Sequence, residues 1–272
     1  METELLKKVQ PELLAIALEI KRVCRENDIS YFLACGSFLG AVRHQGFIPW
    51  DDDLDIGMLR ADYEKFCRIA PKKLGKDYCF QTWYTDPMYH LPFGKVRRKH
   101  TLYQEAKTRT LQENGFFVDV FPFDYAPPEE GQRQAYANRL ASLFRTRLMA
   151  VGAKPWMEGN RINWKKRIGY LLYQARALGT DAAALAEKYD ALAVSQPEGP
   201  ILCRQRGLNQ LNCFQKAWFT DLVDYSFEGE LLAGPRDYEA VLTAQFGDYR
   251  TLPPEDQREN RHQIVKVQFA EE

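Results

Sequence analysis

Four carboxylates occupy the five positions from Asp51 to Asp55, and the chain then runs straight into the apolar Ile56-Gly57-Met58. A strand alternates its side chains, so Asp53 and Asp55 share one face while Leu54, Ile56 and Met58 share the other and can be buried. Like charges this crowded call for a cation, and hard oxygen ligands suit Mg²⁺ or Mn²⁺ better than zinc. Just upstream, the apolar run Tyr31 to Cys35 reads as a first core strand, Gly36 as a turn, and Ser37 as the opening of a short helix through His44. That order presents backbone N–H groups and a positive helix end to an anion, a cradle for a nucleotide's phosphates. The implied chemistry is metal-assisted transfer of a phosphate-linked group.

The 272 residues suffice for one large domain or for a domain with an appendage. With 37 basic and 37 acidic side chains the formal net charge is zero, so no bulk attraction to nucleic acid is expected. The short basic run from Lys95 to His100 neutralises too little phosphate to change that. No apolar run approaches the roughly 20 residues of a membrane helix. Met1-Glu2-Thr3-Glu4 lacks the basic region of a secretory signal, so the expected location is cytoplasmic. Six cysteines without a C-x-x-C pair read as reduced thiols rather than a zinc site or a disulfide framework.

Along the chain, residues 3 to 26 carry helical periodicity, as do 61 to 70. Tyr78 to Trp83, Phe93 to Arg97 and Gly115 to Phe121 read as strands. Asp119 interrupts the last of these, Phe116-Phe117-Val118-Asp119-Val120-Phe121, where a buried carboxylate needs a metal, a cation or several donors. Beyond Pro127-Pro128 the composition shifts to helix formers, with helices expected over 132–151, 162–178 and 181–194. Lys154 to Asn160 reads as a mobile loop, and Arg161, Lys165, Lys166 and Arg167 as a basic face. That face suits solvent, with a glycan-phosphate or peripheral membrane contact as the sharper alternative. A helix from Pro235 to Phe246, stopped by Gly247, precedes a polar tail.

Taken together, Gly36-Ser37-x-Leu39-Gly40-Ala41-Val42-Arg43-His44-x-Gly46-Phe47-Ile48-Pro49-Trp50-Asp51-Asp52-Asp53-Leu54-Asp55 closely resembles the signature of the LicD family, nucleotidyltransferase-fold proteins that include bacterial phosphocholine transferases and the fukutin group. Lys95-Val96-Arg97 with Thr101, Phe117 to Asp124, and Phe246-Gly247-Asp248-Tyr249-Arg250 with Pro253-Pro254 and His262 extend the resemblance. It implies an α/β (α+β) fold, a nucleotidyltransferase-like mixed sheet flanked by helices. Residues 1–126 would form the catalytic core, 127–234 a helical second lobe, and 235–272 a C-terminal segment returning to the active site. The implied reaction moves a phospho-alcohol, phosphocholine foremost, from a CDP-linked donor such as CDP-choline or CDP-ribitol to a hydroxyl of a glycan or lipid-linked glycan, such as a teichoic-acid or other cell-surface precursor, releasing CMP.

In such a family Asp53, Asp55 and Asp119 would hold the divalent metal, Mg²⁺ or Mn²⁺. Asp119, with Asp51 or Asp52 behind it, would accept the acceptor's proton. Gly36 and Ser37 would contact phosphate while Arg43, Lys95 and Arg97 clamp its other oxygens, and His262 would close over the donor from the tail. A structural salt bridge is an equal reading of Arg43. Asp51 and Asp52 read equally as a solvated turn, and Asp124 as a loop cap. Trp50 either stacks on a base or choline head or fills core. Two rivals remain: a nucleotidyltransferase moving a nucleoside monophosphate from an NTP to a small molecule, and a non-catalytic glycan-binding or regulatory protein on the same fold.

Overall fold

A computed structural model describes residues 3–105, 113–158, 161–207, 210–258, 260 and 264–270. The chain divides into two units, one from Met1–Gln81, Phe93–Phe123 and Phe214–Glu272, the other from Thr82–Pro92 and Asp124–Cys213. The expected α/β class is what forms.

The first unit begins with helix α1 (Thr3–Glu26), strand β1 (Phe32–Leu33), helix α2 (Cys35–His44), strand β2 (Asp55–Leu59), helix α3 (Arg60–Lys73) and strand β3 (Tyr78–Gln81). It resumes with β4 (Gly94–Arg98), β5 (Leu102–Glu105) and β6 (Phe117–Tyr125). Its sheet has the order β1-β2-β6-β4-β3, with β2 and β6 parallel and the other neighbours antiparallel. In α1, Leu6, Val9, Leu13, Ile16, Ala17, Ile20 and Val23 are buried, the one-sided stripe that periodicity predicts. That helix packs against β4 and α3.

Strand β6 runs four residues past the expected end at Phe121 and passes through Pro122 without breaking. The Asp119 N–H donates to Leu54 O, just ahead of β2, so by alternation residue 122 faces the β4 side. There β4 has already ended, with Gly94 opposite Val120, and a missing N–H costs no ladder bond. Asp124 is therefore a strand residue, paired with Cys203 in the second unit, and not the expected loop cap.

The second unit contributes α4 (Glu130–Ala150), the short pair β7 (Met157–Glu158) and β8 (Arg161–Ile162), α5 (Trp164–Ala177), α6 (Ala182–Ala193), β9 (Ile201–Gly207) and β10 (Gln210–Gln215). Helix α4 packs against both α5 and α6. The segment expected to be a mobile loop instead carries β7, and Trp156 is buried with its ring 6.0 Å from that of Tyr170.

The chain then re-enters the first unit as β11 (Leu222–Phe227), β12 (Glu230–Pro235), α7 (Tyr238–Phe246) and β13 (Ile264–Gln268). Within 127–234, read from sequence as a helical lobe, the last α-helix thus ends at Ala193, and β9 to β12 follow. Strands β11 and β12 join through Glu228-Gly229, both at positive φ, the geometry of a tight hairpin loop. This hairpin lies on α2, with Phe38 against Tyr225 and Phe47 against Phe227 at ring distances of 5.4 and 4.9 Å. Strand β13 pairs antiparallel with β5, bringing the tail alongside Glu105. No disulfide forms among the described residues.

Candidate active site

The register of the sheet builds the site. Asp55 on β2 lies opposite Asp119 on β6, Asp119 opposite Lys95 on β4, and Lys95 opposite Gln81 on β3, so four polar side chains form one row across one face. Asp55 and Asp119 are 6% and 5% exposed and Lys95 is 1% exposed. Buried carboxylates side by side demand positive charge. Lys95 supplies part of it, with its Nζ 3.0 Å from Asp119 Oδ1, 3.4 Å from Glu105 Oε2, and 3.2 Å above the centre of the Phe117 ring.

Ahead of β2, the carboxylates of Asp51, Asp52 and Asp53 converge, each offering an oxygen within 4.8 Å of the others. Three contacts fix the backbone beneath them. The Asp51 N–H donates to Ile48 O at 2.8 Å, Gln10 of α1 donates to Asp51 O at 3.1 Å, and the buried Tyr103 hydroxyl donates to Asp52 O at 2.9 Å. Burial and then the neighbouring charges of Asp53, Asp55 and Asp52, with a hydrogen bond that the protonated Asp51 donates to Asp53, push the Asp51 carboxyl well above the usual carboxylate range. Asp52 is buried and Asp53 half-buried, so Asp51 and Asp52 are not the solvated turn that their sequence also allowed.

Helix α2 begins at Cys35, whose φ of +50° lies in the left-handed region. Gly36 and Ser37 therefore belong to the first turn of the helix rather than to a turn before it. A Cβ on Gly36 would stand 2.7 Å from Asp51 Oδ2, so glycine here lets a carboxylate approach the helix N-terminus, where the helix dipole favours negative charge. Ser37 is buried, and its Oγ accepts the Asp55 N–H at 2.8 Å. Its present role is to hold the Asp55 strand against the helix.

The remaining expected phosphate contacts are placed elsewhere. Arg97 is buried, donating from Nε to Gln81 Oε1 at 2.5 Å and from Nη1 to Gly115 O at 2.8 Å, so it props the sheet. Arg43, at the far end of α2, donates to Tyr249 O at 2.8 Å and ties down the C-terminal segment. Trp50 is half-buried, with the Arg258 guanidinium 5.5 Å from its ring centre and Asn260 donating to its carbonyl. His262 lies outside the described residues. Gln10, Tyr103 and Glu105 are site residues that the sequence reading missed. Nothing in their surroundings marked them, since Lys7 to Glu12 and His100 to Lys107 are mixed in polarity throughout.

Residues 28–147 match the nucleotidyltransferase domain of the LicD/FKTN/FKRP family, and every carboxylate of the cluster falls inside that span. Residues 28–147 are thus a LicD-type nucleotidyltransferase domain. Over 253 residues it is 27% identical to the lipopolysaccharide cholinephosphotransferase LicD of Haemophilus influenzae, covering 88% of this chain and 89% of that protein. A shorter stretch of 52 residues is 54% identical to an uncharacterized protein of Rickettsia typhi, and one of 47 residues is 51% identical to an uncharacterized protein of Rickettsia prowazekii. These stretches cover 18% and 17% of this chain. The match to the LicD of Haemophilus influenzae thus covers most of both chains.

Proposed function

We propose that this protein is a metal-dependent phosphotransferase that moves phosphocholine from CDP-choline to a glycan hydroxyl and releases CMP. The observation that carries the reading is the carboxylate cluster: Asp51, Asp52 and Asp53 with converging oxygens, beside the facing pair Asp55 and Asp119. An all-carboxylate donor set fits Mg²⁺ or Mn²⁺, with Asp53, Asp55 and Asp119 the proposed ligands and Asp51 and Asp52 close enough to share the ion. Bound there, the ion would neutralise diphosphate oxygens and offset the charge gathering on departing CMP.

The protein's own residues supply the rest. The acceptor oxygen attacks the choline-bearing phosphorus, the bond from that phosphorus to the CMP oxygen breaks, and the hydroxyl proton passes to a carboxylate, for which Asp119 is the proposed acceptor. Lys95 holds Asp119 in place, while Ser37 and Gly36 set the distance between the α2 N-terminus and the cluster. Catalysis is then chiefly alignment and electrostatics. The name of the Haemophilus influenzae relative supports phosphocholine as the group moved and a lipopolysaccharide-type glycan as acceptor. A teichoic-acid or similar surface-glycan precursor has the same chemistry, and the proposed location is cytoplasmic. No described helix is long and apolar enough to cross a membrane.

The test is CMP release from CDP-choline and CDP-ribitol, with and without Mg²⁺ or Mn²⁺, in the presence of a glycan acceptor extract and with Asp55→Asn as control. Acceptor-stimulated, metal-dependent CMP from CDP-choline is the expected result. CMP from CDP-ribitol alone would replace the payload, and turnover of an NTP with neither CDP-alcohol used would replace the reaction.

A further inference from the structure

Helix α5 carries its apolar residues on the outside. Trp164, Ile168, Leu171 and Leu172 fall at i, i+4, i+7 and i+8 and so share one side of the helix, yet they are 61%, 65%, 53% and 71% exposed. Packing is done by the opposite side, where Tyr170 is buried against Trp156 and Tyr173, and where α5 meets α4. A contiguous exposed apolar stripe of this kind marks an interaction surface.

The charges around the stripe identify its partner. From Arg161 to Gly179 the chain holds Arg161, Lys165, Lys166, Arg167 and Arg176 and no acidic residue, within a protein whose overall charge is zero. At 100° per residue, Lys165 and Arg176 flank the stripe on one side and Arg167 on the other. The Arg167 guanidinium lies 4.8 Å from the Trp164 ring centre, at the border of apolar and basic surface. An apolar seam headed by Trp and edged by cations is the pattern of a helix that lies in the plane of a bilayer interface. Its 14 residues span about 21 Å, too short to cross the membrane.

We propose that α5 is an interfacial helix that seats this protein on an anionic lipid surface, with Trp164, Ile168, Leu171 and Leu172 entering the boundary between headgroups and acyl chains. Lys165, Arg167 and Arg176 then meet the lipid phosphates. A second copy of the chain is the poorer occupant, because a two-fold contact sets like surface on like and would press the same cations together. The inference concerns lipid binding alone and stands whatever donor the catalytic cluster uses.

The full chain is sedimented with vesicles of phosphatidylcholine and of mixed phosphatidylcholine and phosphatidylglycerol, and Trp164 insertion is read by quenching with brominated lipid. The wild type is expected to bind the mixed vesicles, to bind pure phosphatidylcholine at least about tenfold more weakly, and to be released by salt. Ile168→Gln/Leu172→Gln should lower partitioning by about tenfold or more. Lys165→Glu/Arg167→Glu should remove the preference for anionic lipid, and both variants alter exposed or partly exposed positions away from the core. The proposal is overturned if the mixed vesicles are not bound or if the Gln variant binds them as the wild type does. Self-association that the Gln variant abolishes, without vesicle binding, would assign the stripe to a second copy instead.

Discussion

The Ser37 hydroxyl accepts the backbone N–H of Asp55 at 2.8 Å, and this one bond couples the first turn of α2 to the strand that carries the carboxylate row. Both groups are buried, so removing the acceptor leaves a donor without its partner. Ser37→Ala should cost about 1–3 kcal/mol in urea unfolding and lower kcat by more than that loss of fold accounts for. A variant with unchanged stability and unchanged turnover would show that the bond positions nothing.

Crowding of like charge at Asp51, Asp52, Asp53 and Asp55 works against the metal-free fold and for the metal-bound one. Asp53→Asn should therefore raise the melting temperature in EDTA, reduce the further rise that Mg²⁺ or Mn²⁺ produces, and abolish metal-dependent CMP release. Melting curves with and without metal, for wild type and variant, check all three. A metal-induced rise as large in Asp53→Asn as in wild type would remove Asp53 from the ligand set.

Two glycines of α2 make different predictions. A Cβ at Gly36 meets the end of a side chain, Asp51 Oδ2 at 2.7 Å, which can swing aside at small cost to stability. A Cβ at Gly40 meets backbone, Gly46 O at 2.4 Å, which cannot move without opening the loop that leads to the carboxylates. Gly36→Ala should thus lose activity with little change in Tm, whereas Gly40→Ala should unfold at markedly lower temperature. The pair is read by thermal melting alongside turnover.

These contrasts also show where the sequence was informative. Helix α1 and strand β2 were legible because their apolar residues keep a strict period, and α7 because Gly247 stops it. Alternation predicts a shared face for Asp53 and Asp55 only along a strand that includes both, and β2 begins at Asp55. Which strand stands beside β2 does not follow from alternation, and only the β2–β6 and β4–β6 registers set Asp119 opposite Asp55 and Lys95 opposite Asp119. The β11–β12 hairpin was missed because Glu228-Gly229 is an uncommon loop pair, held here by a Phe47 N–H bond to Glu228 Oε1 at 2.9 Å, far off in sequence. Arg97 looked like a phosphate clamp because charge suggests solvent, and its actual partners, Gln81 and the Gly115 carbonyl, come from other strands and loops.

His44 gives a pH dependence whose sign is fixed. Burial, followed by the Arg43 charge, holds its pKa below the ordinary 6.5. Above 6.5 neither the folded nor the unfolded chain protonates this imidazole, and its contribution is fully present. As pH falls from 6.5 through the folded value, only the unfolded chain takes up the proton, so stability declines. His44→Gln should flatten urea midpoints across that window while leaving those at pH 8 nearly unchanged.

Lys95 is the cation on which the buried row depends, since its Nζ faces both Asp119 and Glu105 and almost none of it reaches solvent. Replacing it with the similarly sized Lys95→Met leaves two carboxylates without that charge in a low-dielectric setting, and breaking a buried pair from one side costs about 3–5 kcal/mol. Neutralising the nearer partner as well should return much of that loss, because Lys95→Met/Asp119→Asn no longer buries Asp119 as a bare anion. Turnover behaves differently, staying absent in both variants if Asp119 serves the metal or the proton. A double-mutant cycle by urea unfolding, run beside CMP release, separates the two roles: stability recovered without activity places Lys95 as the residue that holds Asp119 in position, and a double-variant loss equal to the sum of those of Lys95→Met and Asp119→Asn would mean that the 3.0 Å pair is not coupled.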